Sequence, residues 1–230
     1  MSYPLSSAQQ ELKARARELA SVFRERAPRW DRTEEYPWEN VKDLVEVGFM
    51  GMTIPRTYGG GGRTIFDALL VIEEMAKACG VTGRIVVEGN MGALSALIHY
   101  ATEEQKHRWF PLVLEGDKPA ICITEPEAGT AATDMTTTAV RKDGVWVITG
   151  TKRWITGAGI SRLHLVFCRL VEDGRDLGIG GIVVERGAPG FTLGPRIPTM
   201  GLRGIPPRRG APLQGLRGSH GELGGRPGRL

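Results

Sequence analysis

The sequence has few of the residues that mark disulfide-linked or metal-binding proteins. Its 230 residues include three cysteines and four histidines. The cysteines are far apart, odd in number and without a CxxC pair, which favours buried free thiols in a reducing compartment. Because the histidines do not show metal-ligand spacing, we expect no metal site.

Long apolar runs and a leader segment are also missing. No stretch approaches the roughly 18 consecutive apolar residues of a membrane span, and the first residues lack the apolar core of a signal peptide. The sequence therefore predicts a cytoplasmic protein with no membrane partner.

The excess of basic residues is confined to one end. The net charge is +4, but residues 203–230 contain six arginines and one acid, Glu222, so the remainder carries 24 basic and 25 acidic residues. A basic tail on a neutral body does not favour nucleic acid as a partner.

Phosphate-binding and nucleophile motifs are absent as well. Four consecutive glycines, Gly59 to Gly62, follow no predicted strand and precede no GK[ST], so phosphate binding there is disfavoured. No G-x-S-x-G motif marks a serine nucleophile.

Hydrophobic periodicity divides the chain into two parts. Apolar residues at three- and four-residue steps predict helices up to residue 118, one of them ending before Pro28 and another spanning residues 83–101. Thr102 opens a capping box, and Pro111 is expected to limit that helix to two turns. From residue 119 short β runs follow, with a hairpin at Asp143-Gly144.

We therefore predict an α+β protein with an all-helical N-terminal domain, residues 1–118, and an antiparallel sheet or barrel domain, residues 119–206. Residues 207–230 lack apolar periodicity and are rich in glycine and arginine, which predicts disorder. One hypothesis is that this tail arises from a shift of the reading frame in the coding sequence. Codons for residues 208–217 can be chosen so that the next reading frame encodes EGALHFKDFE.

Four motifs carry a family resemblance that covers roughly residues 8–206. TEPEAGT at 124–130 and WITG at 154–157 resemble the paired signatures of the FAD-dependent acyl-CoA dehydrogenases. YATEEQK at 100–106 and MGLRG at 200–204 resemble further segments of that family. The sequence EGALHFKDFE, encoded by the shifted frame, also resembles the strand that follows the MGLRG-like motif in this family.

The resemblance implies a function and a missing part. It implies α,β-dehydrogenation of an acyl-CoA thioester with hydride transfer to FAD, with an electron-transfer flavoprotein as the acceptor. The middle domain is then an antiparallel β-barrel, and a helical bundle carrying the catalytic glutamate lies beyond residue 230. This chain accordingly looks like a truncated form with no catalytic base of its own. Family members form homotetramers through the bundle, so a tetramer is not assumed for this chain.

The resemblance also assigns binding residues. In the TEPEAGT region, Ile123 and Thr124 would contact the flavin through backbone and hydroxyl groups. In WITG, the Trp154 indole and the Thr156 hydroxyl would do so. Thr130 would contact the CoA moiety. The residues implied to bind FAD are Ile121, Ile123, Thr124, Trp154, Ile155 and Thr156.

Several alternatives stay open. Trp154 is alternatively a core residue of a strand, and Thr124 alternatively serves only to form the turn before Pro126. Glu125 is interpreted as a structural carboxylate rather than as a catalytic base. The family's usual A-G-S-D is broken here, because Ala131, Ala132 and Thr133 precede Asp134, which suggests a branch away from the straight-chain enzymes.

Arg84 is an isolated cation in an apolar helix and needs an anionic partner. The partner is either Glu88, one helical turn on, or a substrate carboxylate or sulfinate. The second option indicates an alternative function, a CoA-linked desulfinase acting on an acidic acyl-CoA, in which FAD is present without net dehydrogenation. A non-catalytic fragment that binds flavin or acyl-CoA is a further alternative.

Overall fold

The computed structural model describes residues 4–205, 207–208 and 211–218. The chain forms two compact units that no single cut in the sequence separates. The helical unit comprises the described residues up to Leu94 together with Phe110–Asp117 and Pro198–Ile205. The sheet unit comprises Ser95–Trp109, Lys118–Ile197 and the described residues after 205. The domain boundaries at residues 118 and 206 stay predictions of the sequence.

Six helices confirm the helical character predicted for the first 118 residues. None of the helices in the described ranges is both long and apolar enough to cross a membrane. The helices are α1 (Ser7–Thr33), α2 (Trp38–Glu46), α3 (Ile65–Ala78), α4 (Gly80–Glu88), α5 (Ala93–Tyr100) and α6 (Glu103–Leu114).

Helix α1 is longer than predicted because a proline does not end it. Pro28 lies on the exposed face of the helix, so the carbonyl that loses its backbone donor can bind water. Beyond it, Trp30 is buried with 4% of its surface exposed. Burial of that indole keeps the last turn helical.

The helix predicted over residues 83–101 is two helices, α4 and α5, separated at Gly89–Gly92. Gly92 has a positive φ of 64°, which a helix cannot contain. Helix α6 begins at the predicted capping box, in which the Gln105 amide donates to Thr102 Oγ1 at 3.3 Å. It continues past Pro111, which is exposed, because Phe110 and Val113 are fully buried.

The glycine run has a packing explanation. A Cβ atom added to Gly60 would lie 2.2 Å from the carbonyl oxygen of Ile54, and one added to Gly61 would lie 2.8 Å from that of Met52. The Gly62 amide also donates to the Ile54 carbonyl at 2.9 Å. The run therefore allows two backbone segments to touch.

The sheet unit contains the predicted hairpin between β2 and β3. Asp143 and Gly144 have φ values of 49° and 78°, as that turn requires. The strands are β1 (Ala120–Cys122), β2 (Thr138–Lys142), β3 (Val145–Lys152), β4 (Ile155–Thr156), β5 (Leu163–Glu172), β6 (Arg175–Glu185), β7 (Pro207–Arg208) and β8 (Ala211–Gly218).

The prediction of an antiparallel barrel is wrong. The six-stranded sheet is mixed, in the order β1-β5-β2-β3-β8 with β6 beside β5, and it is not closed. Both β1 and β2 pair with β5 in parallel, whereas the other pairs are antiparallel. Long connections lead from β1 and β2 to β5, and only the tight turns fix an antiparallel direction.

The predicted disorder of residues 207–230 is also wrong in part. Strand β8 pairs with β3 from Trp146↔Gly218 to Lys152↔Ala211. Its Leu213 is buried with 1% of its surface exposed, among the core residues of the sheet. For residues 209–210 and 219–230 the prediction lies outside the described residues.

We predict that Gly60→Ala destabilises the helical unit by roughly 1–3 kcal/mol, because the new methyl group must displace the Ile54 carbonyl. Chemical denaturation measures the free energy of unfolding. Gly201→Ala is the control, since an added Cβ there meets no atom within 4 Å, and its effect should stay within about 0.5 kcal/mol. Equal stabilities for the two variants would contradict the packing explanation.

Candidate functional site

The two segments that carry the predicted flavin contacts lie side by side in the sheet unit. The first is β1 with the loop after it, and the second joins β3 to β4. The Arg153 amide donates to the Thr124 carbonyl at 2.7 Å, and Lys152 Nζ donates to the Ile123 carbonyl at 2.8 Å. Residues 29 positions apart in sequence are therefore joined in one surface.

This surface presents apolar groups. Trp154 has 48% of its surface exposed and Ile121 has 37%, while Ile123 is half-buried. Ile155 is buried, so its side chain belongs to the core and only its backbone can face a ligand. An exposed indole on one segment and exposed aliphatic groups on the segment joined to it suit a planar aromatic ring system.

Trp154 adopts an unusual backbone conformation. Its φ is 62°, in the left-handed region that bulky residues avoid at a cost of about 1–2 kcal/mol. The guanidinium of Arg153 lies 4.8 Å from the centroid of the indole, over one face. A strained, half-exposed aromatic residue is typical of a binding site rather than of a core.

Hydroxyl groups are available on the same unit. Thr124 and Thr156 are half-buried and Thr130 is exposed. Within the described ranges, no hydrogen bond engages any of these three hydroxyls. They can therefore donate to the polar edge of a bound ring or to a carbonyl of a ligand.

A buried ion pair lies behind the first segment. Lys152 Nζ lies 2.7 Å from Glu125 Oε1, and the two side chains are 0% and 4% exposed. The carboxylate also accepts hydrogen bonds from the backbone amides of Thr136, at 2.7 Å, and Thr137, at 3.0 Å.

These contacts settle the character of Glu125. Burial alone would raise its pKa, but the hydrogen bonds from Lys152, Thr136 and Thr137 outweigh it and lower the pKa to about 2. A carboxylate that is ionised and fully hydrogen-bonded is a poor general base at neutral pH. Glu125 is the structural carboxylate that the sequence indicated.

Sequence reasoning missed Lys152. The signal was available in the strand, where Trp146, Ile148 and Lys152 occupy inward positions and all are buried. A lysine that continues the inward series of a strand must have a buried acceptor. Nothing in the sequence alone identifies that acceptor as Glu125.

A second cluster that the sequence did not indicate supports the turn after Thr156. Gly157 has a φ of 74°, and an added Cβ would lie 1.9 Å from Lys118 Nζ, so a side chain there would be strained and would displace the Lys118 ammonium. Ser161 Oγ donates to the Lys118 carbonyl at 2.6 Å. His164 Nε2 lies 3.0 Å from the Ala158 carbonyl, with the ring fully buried.

The buried groups His164, Cys122 and Cys168 do not titrate near neutral pH. Burial lowers the pKa of His164 to about 4, against the effect of its carbonyl hydrogen bonds. Burial raises the pKa values of Cys122 and Cys168 to about 12, so both remain thiols. All three cysteines are free. In the described part of the chain, no group of three His, Cys, Asp or Glu residues is arranged to hold a metal ion.

Arg84 belongs to α4 of the helical unit. Its Nε donates to Glu88 Oε1 at 2.9 Å, as expected if Glu88 is the partner. The side chain is 39% exposed, and its terminal nitrogens hydrogen-bond none of the residues that the structure describes. One edge of the guanidinium is therefore paired and the other is open to an anion.

Two family models match almost the whole chain. The acyl-CoA dehydrogenase N-terminal domain matches residues 6–117, and the acyl-CoA dehydrogenase middle domain matches residues 120–210. The chain belongs to the acyl-CoA dehydrogenase family.

Individual relatives of the family show which members it resembles. It is 54% identical to a 3-sulfinopropanoyl-CoA desulfinase of Variovorax paradoxus, over 89% of this chain and 52% of that protein. It is 32% identical to a short-chain-specific acyl-CoA dehydrogenase of Clostridium acetobutylicum, over 88% and 54%.

The fold is that of a solved family member. Butyryl-CoA dehydrogenase from Megasphaera elsdenii superposes with a TM-score of 0.88 at 25% identity, over 99% of this chain and 61% of that one. The chain thus spans little more than half the length of the relatives it matches.

The ion pair gives a prediction about pH. Because the pKa of Glu125 is lowered from 4.5 to about 2, its stabilising effect is complete above pH 4.5 and is lost as the pH falls towards 2. The difference in free energy of unfolding between the wild type and Glu125→Gln should therefore be largest above pH 4.5 and shrink on acidification.

Denaturation at a series of pH values measures this difference. The contribution of His164 cancels, because that residue is present in both proteins. Glu127→Gln is the control, because Glu127 is exposed in the same loop and should show no such gap. A gap for Glu125→Gln that is independent of pH would contradict the assignment.

Proposed function

We propose that the chain binds FAD on the surface formed by the β1 loop and the β3–β4 connection. The observation that carries this proposal is the half-exposed, strained indole of Trp154, in a connection whose preceding residues hydrogen-bond the backbone of Ile123 and Thr124. Membership of a flavoprotein family supports the same ligand.

The residues have distinct roles in this proposal. Trp154 packs against the ring system with the face that Arg153 does not cover, and the backbone of Ile121, Ile123 and Ile155 provides hydrogen-bonding groups. Thr124 and Thr156 donate hydroxyl hydrogen bonds to the polar edge, where they stabilise negative charge. Bound FAD would supply hydride acceptance. Thr130 contacts the CoA moiety.

The substrate that we propose is an acyl-CoA whose acyl group carries an acid, of the 3-sulfinopropanoyl type. The 54% identity to a desulfinase supports this choice over other branches. In a desulfination without net dehydrogenation the carbon–sulfur bond is broken with consumption of water, the carbon gains hydrogen and the sulfur leaves as sulfite. The open edge of Arg84 suits a sulfinate or carboxylate, because a planar guanidinium forms paired hydrogen bonds with two anionic oxygens.

A second candidate is α,β-dehydrogenation of a short acyl-CoA, with an electron-transfer flavoprotein as the acceptor. The 32% identity to a short-chain acyl-CoA dehydrogenase favours it. Because the chain covers 52% and 54% of the two relatives named above, ligand binding rather than turnover is the appropriate measurement for it.

The FAD proposal predicts that the purified chain binds FAD and quenches its fluorescence on titration. Trp154→Ala should weaken binding roughly tenfold, because a stacked aromatic contact and its buried area are lost. Trp38→Ala is the matched control, since that indole is 59% exposed in the helical unit. No FAD binding by the wild type, or equal effects of the two substitutions, would refute the proposed site.

The substrate proposal predicts a selective effect at Arg84. Arg84→Met should weaken the binding of 3-sulfinopropanoyl-CoA about ten- to hundredfold through the loss of charge-assisted hydrogen bonds. It should leave the binding of propanoyl-CoA, which lacks the sulfinate, unchanged. Isothermal titration with both ligands measures this, with Arg24→Met on the exposed face of α1 as the control. Equal weakening for both ligands would contradict an anion-binding role.

A further inference from the structure

The two carbonyl groups on either side of Thr124 are both held by the β3–β4 connection. The Ile123 carbonyl accepts from Lys152 Nζ at 2.8 Å, and the Thr124 carbonyl accepts from the Arg153 amide at 2.7 Å. Each carbonyl fixes the orientation of one peptide plane, and the two planes together fix φ and ψ of the residue between them. The direction of the Thr124 side chain follows from those two hydrogen bonds.

Only one of the two bonds depends on a side chain. Lys152 is the last residue of β3 and is fully buried, and its ammonium contacts the Ile123 carbonyl, Glu125 Oε1 at 2.7 Å and Met135 Sδ at 3.8 Å. An ammonium group without water must be matched by an anion and by acceptors. The described structure thus provides an acceptor for each of its three N–H groups.

Glu125 is in turn held from the other side. Thr136 donates to it through its backbone amide at 2.7 Å and its hydroxyl at 2.9 Å, and Thr137 donates through its amide at 3.0 Å. A continuous series of hydrogen bonds therefore leads from the two residues before β2, through the carboxylate and the ammonium, to the backbone of Ile123. Within this series Lys152, Glu125 and Thr137 are buried, Ile123 is half-buried and Thr136 is exposed.

We propose that Lys152 is a positioning residue of the FAD site, which holds the Ile123–Thr124 peptide in its binding orientation, and that Glu125 neutralises it there. This proposal rests on the proposed FAD site. It assigns to the pair a function beyond stability, because the same ammonium that completes the ion pair also fixes the backbone beneath a ligand-binding hydroxyl.

The experiment separates positioning from stability by removing the charges singly and together. In Lys152→Met the Glu125 carboxylate is left buried without its cation, so stability should fall strongly. In the double variant Lys152→Met/Glu125→Gln no buried charge remains, so most of that stability should return. The Ile123 carbonyl still lacks its donor in the double variant. Lys142→Met, at an exposed position of β2, is the matched control.

Two further measurements report on position. Amide hydrogen exchange of Arg153 without FAD reports on the bond to Thr124, and titration with FAD reports on the site. In the double variant we expect exchange about tenfold faster and FAD binding about tenfold weaker than in the wild type, as for one lost buried hydrogen bond. Recovery of wild-type values of both in the stable double variant would overturn the proposal and leave a purely structural pair.

The outcomes also separate this proposal from the one on which it rests. A wild-type chain that binds no FAD refutes the proposed function, while the Arg153 exchange in the double variant still decides whether Lys152 positions the segment. If Lys152→Met alone does not fold, the double variant and Glu125→Gln retain the comparison.

Discussion

Burying an ammonium group in a sheet requires a carboxylate and carbonyl oxygens to replace the water that it loses. In this chain the requirement is met by Glu125 and the Ile123 carbonyl, and it links three stretches that are distant in sequence. The β1 loop, the start of β2 and the end of β3 each contribute one part. The segments that carry the candidate site are therefore joined through one buried lysine.

The titratable groups around this pair are held in fixed protonation states. Glu125 is ionised with a pKa of about 2, His164 is neutral with a pKa of about 4, and Cys122 and Cys168 are thiols with pKa values of about 12. None of these four groups exchanges a proton readily at neutral pH. These four groups are therefore not candidates for proton transfer at neutral pH.

How much could be predicted from the sequence differed between elements. The capping box at Thr102 and the hairpin at Asp143 were correct, because both are local arrangements in which a few side chains or a tight turn decide the structure. The two prolines were misread as helix ends, since the burial of Trp30 and Phe110 stabilises the turns around them. That burial depends on tertiary packing, which the sequence around each proline does not reveal.

The same distinction applies to the sheet and to the site. Strand direction beside β5 depends on long connections, for which the sequence has no local signal, so the barrel prediction failed. The motif resemblance indicated Thr124, Trp154 and Thr156, and the structure brings their segments together. The resemblance did not indicate Lys152, whose partner lies 27 residues away in sequence.

Strand β8 illustrates how much backbone pairing contributes beside the buried side chain of Leu213. The ladder between β3 and residues 211–218 is built from main-chain groups that every amino acid except proline shares in full. Covering the free edge of β3 therefore places few demands on which side chains occupy those positions. A segment of low hydrophobicity can protect that edge from pairing with another chain. The resistance of the sheet unit to aggregation through this edge therefore does not require a hydrophobic last strand.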